Sequence, residues 1–264
     1  MRIGKLIPVS IVLLLLSCTK TNQKTEYNQD HLIYATIWYQ NSPEMRALYY
    51  QGFNIAGERI KSLSKIKTAK PKAVVVDIDE TMLNNSPFQA QEVLENREFS
   101  SEFWNEWSSL ARAEATPGSV EFSNLCDSLG VSIFYISNRR VNEFYATLRN
   151  LDSLGFAFAK PEYILLRDNE SSKKTRREKV MMNYEVVLLI GDNLNDFSEV
   201  FEDRVDDWGR QTVEQFKKEF GNRFIILPNP MYGDWEKNIY PYRGMQPSQL
   251  DSARRSVLKG FRIN

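Results

Sequence analysis

Residues 73–81 read Ala73-Val74-Val75-Val76-Asp77-Ile78-Asp79-Glu80-Thr81, a short apolar, mostly β-branched run that breaks abruptly into acids. Pro71 closes the region before it. Four consecutive apolar residues of this kind fit a strand buried on both faces, as in a parallel sheet. The same signal returns at Val131 to Ile136, at Glu162 to Leu166, at Val186 to Ile190 and at Arg223 to Leu227. Helical stretches separate these runs: Ser119–Leu129, Val141–Leu154, Thr175–Asn183 and Gln211–Phe220. Such alternation predicts an α/β fold, one parallel sheet with helices on both faces.

Ligands of open α/β sheets sit outside the carboxyl ends of the strands. The first strand runs into Asp77 and Asp79, two carboxylates one residue apart. One can face a substrate while the other reaches its leaving group. The competing reading makes Asp79 a helix cap and leaves Asp77 solvated. The second strand ends in Ser137-Asn138-Arg139. A hydroxyl and an amide there suit phosphate oxygens, and a helix N-cap before Val141 fits as well. The fourth ends in Gly191-Asp192-Asn193-Leu194-Asn195-Asp196-Phe197. A helix–loop–helix Ca²⁺ loop fails here, because Leu194 takes the third ligand position and no glycine follows at the sixth. Shortly after the third strand comes Lys173-Lys174-Thr175-Arg176-Arg177, a cluster that brings lysine towards the same rim. Hard carboxylate oxygens suit Mg²⁺. A carboxylate nucleophile facing a phosphate dianion needs such a cation and a lysine to offset repulsion.

Composition narrows the chemistry further. The 264 residues include one histidine, His31, which lies before any recognisable core. This excludes a His-nucleophile phosphatase, a Ser-His-Asp hydrolase and a multi-histidine zinc site. The 34 basic and 34 acidic residues balance, which argues against a nucleic-acid polymer as partner.

Residues 1–17 read as a lipoprotein signal peptide. Arg2 and Lys5 precede an apolar run that ends in Leu15-Leu16-Ser17-Cys18 and is too short and one-ended for a comfortable membrane span. That ending resembles the bacterial lipoprotein box and makes Cys18 the expected lipidation site. An anchor of several acyl chains holds a protein stably to a membrane. Cleavage removes Arg2 and Lys5 from the 34 basic residues and no acids, leaving a balance of about −2. Cys126 is then the sole remaining thiol, so no internal disulfide is expected. Residues 18–29 read as a flexible polar tether and 30–264 as the folded domain. Its core is expected at about 70–86 and 116–230. Residues 30–66 and 87–115 are expected to form a small α-helical subdomain over the sheet edge. Apolar spacings at Met45, Leu48, Tyr49, Phe53, Ile55, Ile60 and Leu63 carry the first of these.

Taken together, Asp77-Ile78-Asp79-Glu80-Thr81, Ser137, Lys173 and Gly191-Asp192 with Asp196 resemble the four ordered motifs of the haloacid dehalogenase (HAD) superfamily, whose core is a Rossmann-like sheet. More narrowly, over about residues 30–240, the chain resembles the class C acid phosphatases, the lipoprotein e(P4)-type 5′-nucleotidases. Ile37-Trp38-Tyr39-Gln40-Asn41-Ser42-Pro43-Glu44, Asp77 to Asn85, Ile136-Ser137-Asn138-Arg139, Gly191 to Phe197 and Leu227 to Glu236 carry that likeness.

The resemblance implies a Mg²⁺-dependent phosphatase of phosphate monoesters, 5′-nucleotides among them, lipid-anchored in the bacterial envelope at the outer membrane, and a homodimer. It implies Asp77 as nucleophile and Asp79 as acid and base. Mg²⁺ would be held by Asp77, the Asp79 carbonyl and Asp192, with Asp196 in support. Ser137, Lys173 and Asn138 would hold phosphate, and Tyr232 and Trp235 would lie near the nucleotide face, core or lid packing being their other reading. Lys173 with Arg176 and Lys174 with Arg177 fit the family's lysine spacing equally. The approach Asn169-Glu170-Ser171-Ser172 resembles the family's and points to Lys173. Two other functions stay open on these residues: a non-catalytic, lipid-anchored nucleotide or metal binder, and a phosphotransferase.

Overall fold

The computed structural model describes residues 29–242 and 244–261. The signal segment, Cys18 and the tether up to residue 28 lie outside them. Gln29, counted with the tether in the sequence, is buried, and its backbone N–H donates to Asn96 Oδ1 at 3.3 Å.

The main sheet has five strands in the order β5-β4-β1-β6-β7, every pairing parallel. These are β1 (Lys72–Val76), β4 (Ser132–Arg140), β5 (Ile164–Arg167), β6 (Glu185–Gly191) and β7 (Phe224–Ile226). Each falls on one of the five apolar runs. β4 differs most, continuing through Ser137-Asn138-Arg139-Arg140 after its apolar residues end. The strand β1 is central, and the chain steps from it first to one side and then to the other. Its carboxyl end is therefore the switch point at which such sheets bind ligands.

Side chains alternate across the sheet, and two cores form. Val74, Val76, Ile133, Tyr135, Leu188 and Ile190 lie in one cluster. Ala73, Val75, Phe134, Ile136 and Leu189 lie in the other. The first is covered by α2 (Pro43–Ser64), α5 (Ser119–Ser128) and α6 (Phe144–Ser153), through Phe53, Phe122, Cys126 and Leu151. The second is covered by α7 (Lys174–Asn183), through Val180, and by Phe197 and Phe201 from the loops after β6. Helices thus lie on both faces.

Residues 30–66 form two helices. Ser42 ends α1 (Asp30–Asn41) and caps α2, its Oγ accepting the Met45 N–H at 3.0 Å, with Pro43 in the first turn. That pairing of cap and proline is a strong local start signal. Of the apolar spacings in α2, Met45, Tyr49, Phe53 and Ile60 face inward, whereas Leu48 and Ile55 are exposed. The buried stripe is completed by Gly52, Ala56 and Gly57, whose small size lets the helix approach the sheet closely. Helix α2 therefore packs within the sheet's own core, while α1 packs on the inserted helix α3.

The insertion leaves and returns through a two-stranded antiparallel ribbon, β2 (Leu83–Asn84) with β3 (Glu114–Ala115). It holds α3 (Ser86–Glu95) and α4 (Ser101–Leu110). Phe88 packs tilted against Phe103 and edge-to-face against Trp104, at centroid distances of 4.9 and 5.1 Å, so these aromatics build the insertion's own core. After β7 the chain crosses back past the insertion and ends in α9 (Pro247–Ser256). The short α8 (Arg210–Gln215) is the shrunken form of the helix expected at Gln211–Phe220. Among the described residues, no helix is long and apolar enough to cross a membrane.

Candidate active site

The strand β1 delivers Asp77 to the sheet's carboxyl edge, its N–H donating to Ile190 O of β6 at 2.9 Å. The chain then turns through Glu80, which is in the left-handed region at φ 54° and wholly buried. That turn separates the two aspartates. Asp77 faces the loop after β6, and Asp79 faces β4.

Around Asp77, one carboxylate oxygen each from Asp77, Asp192 and Asp196 lies within 4.8 Å of the others. Lys173, buried at the start of α7, bridges this group. Its Nζ pairs with Asp77 and stands 2.6 Å from Asp196 Oδ1. Asp196 is fixed because its Oδ2 accepts the Asn193 N–H at 3.0 Å, and because Gly191 leaves the room: a Cβ there would overlap the Asp196 carboxyl. Asp192 accepts from Thr81 Oγ1 at 3.2 Å and Asn229 Nδ2 at 2.9 Å. Lys174 instead pairs with Glu199 at the surface, 3.2 Å away, so geometry separates the two adjacent lysines.

The electrostatics follow from burial. Desolvation, with Asp196, Asp192 and Asp79 as neighbours, pushes the Asp77 carboxyl well above the usual range despite Lys173. Burial and Asp196 push Asp192 up to about 7, against the Asn229 hydrogen bond and Lys173. Burial also opposes the Lys173 charge, but Asp196 and Asp77 more than offset it, and its pKa lies above that of an ordinary lysine. One buried ammonium among three carboxylates leaves excess negative charge. Three hard oxygen donors with that excess are the donor chemistry of a divalent cation such as Mg²⁺, so these residues fit one.

Asp79 belongs to a second network. Its carboxylate accepts from Ser137 Oγ at 3.0 Å, Arg139 Nε at 2.9 Å and Asn85 Nδ2 at 2.9 Å. Arg139 is buried and also reaches Asn85 Oδ1 and Thr147 Oγ1, both at 3.2 Å. Trp107 Nε1 donates to Asn85 Oδ1 at 2.9 Å, which ties the insertion to the site. Asn138 lies at the surface and accepts from Arg176 Nη2 at 2.7 Å. The Tyr232 hydroxyl donates to the Glu80 carboxylate, and Trp235 is largely exposed on the same segment. The structure thus groups Asp77, Asp192, Asp196 and Lys173, and groups Asp79 with Ser137. It directs Asn138, Tyr232 and Trp235 to other partners or to solvent.

Four residues that organise the site carried no assigned role in the sequence: Arg139, Asn85, Glu80 and Asn229. Arg139 and Glu80 lie inside motifs, but Arg139 meets Asn85 from 54 residues away and Glu80 meets Tyr232 from 152, and only the fold brings these together. Tyr39 and Tyr49 complete the Glu80 side. Their hydroxyls are 2.5 Å apart, and Tyr49 donates to the Glu80 carbonyl.

A parallel sheet with this carboxyl edge is the architecture of the HAD superfamily. Within it, the chain belongs to subfamily IIIB (acid phosphatase), whose family model matches residues 15–235. It is similar to the class C acid phosphatase from Bacillus anthracis, with 42% identity and a TM-score of 0.84, covering 89% of this chain and 99% of that one. A structure of the same phosphatase with tungstate bound matches with a TM-score of 0.85. Among curated proteins, a stem 28 kDa glycoprotein of Glycine max is 30% identical over 167 residues, and a stem 31 kDa glycoprotein is 28% identical over 164. The chain spans 58% of the length of each of these two, and each match covers 60% of this chain.

Proposed function

We propose that this chain hydrolyses phosphate monoesters through an aspartyl phosphate on Asp77, with Mg²⁺ held by Asp77, the Asp79 carbonyl and Asp192 and supported by Asp196. The observation that carries this reading is the buried Lys173 paired to both Asp77 and Asp196 beside Asp192. A carboxylate attacks a phosphate dianion only where positive charge cancels their repulsion, and that cancellation is what the bound cation supplies. Lys173 adds a second positive charge at the same carboxylate. Asp77 displaces the alcohol from phosphorus. Asp79, held by Ser137 and Arg139, donates the proton to the leaving oxygen and then takes one from the attacking water. The likeness to a phosphatase whose structure holds tungstate, a tetrahedral dianion, supports a protein of this fold that binds phosphate-like oxyanions.

Asp77→Asn should abolish turnover of p-nitrophenyl phosphate while the variant stays folded by circular dichroism, and chelation should silence the wild type until Mg²⁺ is restored. Full activity in Asp77→Asn would sink the assignment. Phosphate release with time separates an enzyme from a mere binder.

The preferred substrates on this reading are 5′-nucleotides, and a panel of nucleoside monophosphates against sugar phosphates measures that. Anchoring at Cys18 places the enzyme at the outer membrane. Labelled palmitate should enter the wild type and not Cys18→Ala, and label in both would refute the anchor. A homodimer is expected, and sedimentation velocity reads it directly.

A further inference from the structure

The last residues of β4 alternate. Ser137 and Arg139 are buried on the side of Asp79, whereas Asn138 and Arg140 are exposed on the opposite side. Parallel pairing sets Arg140 opposite Arg167, the last residue of β5. From the first turn of α7, Arg176 reaches this flank. Its guanidinium donates to Asn138 Oδ1 at 2.7 Å, to Ser172 O at 3.1 Å and to Ser137 O. Arg176 therefore stands at the strand end that carries Ser137, close enough to Arg167 for their charges to repel, and Arg140 is the register partner of Arg167.

None of the three makes a direct ion pair with a carboxylate among the described residues, although Asp77 and Glu170 attract Arg176 from farther away. Among the described residues, ion pairs of buried arginines join Arg139 to Asp79 and Arg177 to Glu199, but none involves Arg140, Arg167 or Arg176. The acids nearby are engaged elsewhere. Glu143 takes the Arg140 backbone N–H at 2.7 Å and Trp104 Nε1 at 2.8 Å. Asp168 takes the Asn169 amide at 3.2 Å, and Glu170 takes the Thr175 hydroxyl. Arg167 Nε is buried with no hydrogen-bond partner at all. Buried unpaired donors are rare in folded proteins. This one stands close to the positive charge of Arg176, which reaches the strand end that carries Ser137, and an anion there would satisfy it.

We propose that Arg140, Arg167 and Arg176 form a second anion subsite, which receives a second phosphoryl group carried by the substrate while Asp77 attacks the first. Guanidinium forks match phosphate oxygens in pairs. Arg176 joins the two sites, because it is bonded both to the Ser137 carbonyl and to Asn138. The inference rests on the phosphatase reading and deepens it, from phosphate monoesters in general to bisphosphorylated ones.

The test compares a nucleoside 3′,5′-bisphosphate with its 5′-monophosphate and with p-nitrophenyl phosphate. The wild type should show a KM for the bisphosphate lower by about tenfold than for the monophosphate, the size of one good charged contact. Arg140→Gln, at an exposed position, should remove about that factor, acting through KM. Arg167→Gln should do the same, and Arg167→Lys, which keeps the charge but not the fork, should restore part of it. Equal KM values for the two nucleotides in the wild type overturn the proposal. So does a loss in Arg140→Gln that is as large on p-nitrophenyl phosphate as on the bisphosphate. If inorganic phosphate inhibits non-competitively and Arg140→Gln relieves it, free phosphate occupies the subsite and the substrate assignment falls. A wild type inactive on all three compounds overturns the phosphatase reading instead. The subsite is then judged by calorimetry on Asp77→Asn, where the bisphosphate must bind more tightly than the monophosphate.

Discussion

Lys173 and Lys174 are neighbours in sequence with opposite environments, and the contrast makes a clean comparison. Lys173 is buried against Asp77 and Asp196, while Lys174 pairs with Glu199 where both side chains are substantially exposed. Removing one partner of a buried ion pair strands the other, at a cost of about 3–5 kcal/mol. An exposed pair is worth about 0–1 kcal/mol. Lys173→Ala should therefore lower stability in urea by about 3 kcal/mol in the metal-free protein and cut kcat by at least about a hundredfold, in line with loss of one charge-stabilising group. Lys174→Ala should leave stability within about 1 kcal/mol of wild type. If the two variants behave alike, the burial of Lys173 has no functional meaning. The raised pKa of Lys173 keeps it charged as pH rises, so the effect of Lys173→Ala should persist from neutral pH to about pH 9. In the sequence the spacing of three to the next arginine suits both lysines, and only the approach Asn169 to Ser172 favours Lys173. The burial of Lys173 and the exposure of Lys174 at the start of α7 separate them physically. Arg139 was hidden for a related reason. It reads as one more charge after a strand, and its meaning lies in Asp79 and Asn85, which are distant in the chain.

At the scale of elements, α2 shows how glycine sets a packing distance. A Cβ on Gly52 would stand 2.5 Å from Leu227 Cδ2, whereas one on Gly57 would meet Leu125 Cδ2 at 3.3 Å. Alanine in a helix interior gains about 1 kcal/mol over glycine, but overpacking a full core costs about 1–3 kcal/mol. Gly52→Ala should thus destabilise by about 1 kcal/mol, since Leu227 is itself buried and has little room to retreat. Gly57→Ala needs only a small shift of Leu125 and should fall between neutral and about 1 kcal/mol more stable. Urea titrations of the two variants decide it, and a stabilised Gly52→Ala would show that α2 does not press on the sheet's last strand. The strands were legible because a strand buried on both faces must be apolar throughout, and each apolar run indeed lies in the sheet. Where burial is achieved by small or polar residues the signal fails. Leu48 and Ile55 of α2 read as core and lie outside, while Gly52, Ala56 and Gly57 lie inside. The last residues of β4 gave no strand signal for the same reason, because Ser137 to Arg140 continue it without any apolar residue and only Arg140 among them pairs with β5. The acidic rim was legible for the opposite reason: aspartates at the ends of buried strands have few structural uses.

For the molecule as a whole, the chain after β7 folds back against the inserted helices and gathers Glu92, Glu98 and Glu236 around a cavity that His31 and Arg254 also line. Glu92 of α3 is buried beside this cavity of about 360 Å³. Burial, with Glu236 and Glu98 adding repulsion, pushes the Glu92 carboxyl up to about 7 from 4.5. The folded state then holds the proton more tightly than the unfolded chain does. Stability from this group is complete below about pH 4.5 and is lost as pH rises through about 7. The loss amounts to about 2 kcal/mol, somewhat less than the full linkage value because the cavity admits water. Glu92→Gln keeps the shape and removes the titration. In chelator, to hold the aspartate cluster metal-free in both proteins, wild type and variant should match at pH 4 and diverge steadily to pH 8, with the variant the more stable. Asp77, Asp192 and Glu80 titrate in both proteins and cancel from the difference, so the divergence reports Glu92 together with its interacting neighbours Glu98 and Glu236. Parallel curves would mean that Glu92 reaches solvent in the native protein, and that the junction between insertion and C-terminal segment is open rather than closed.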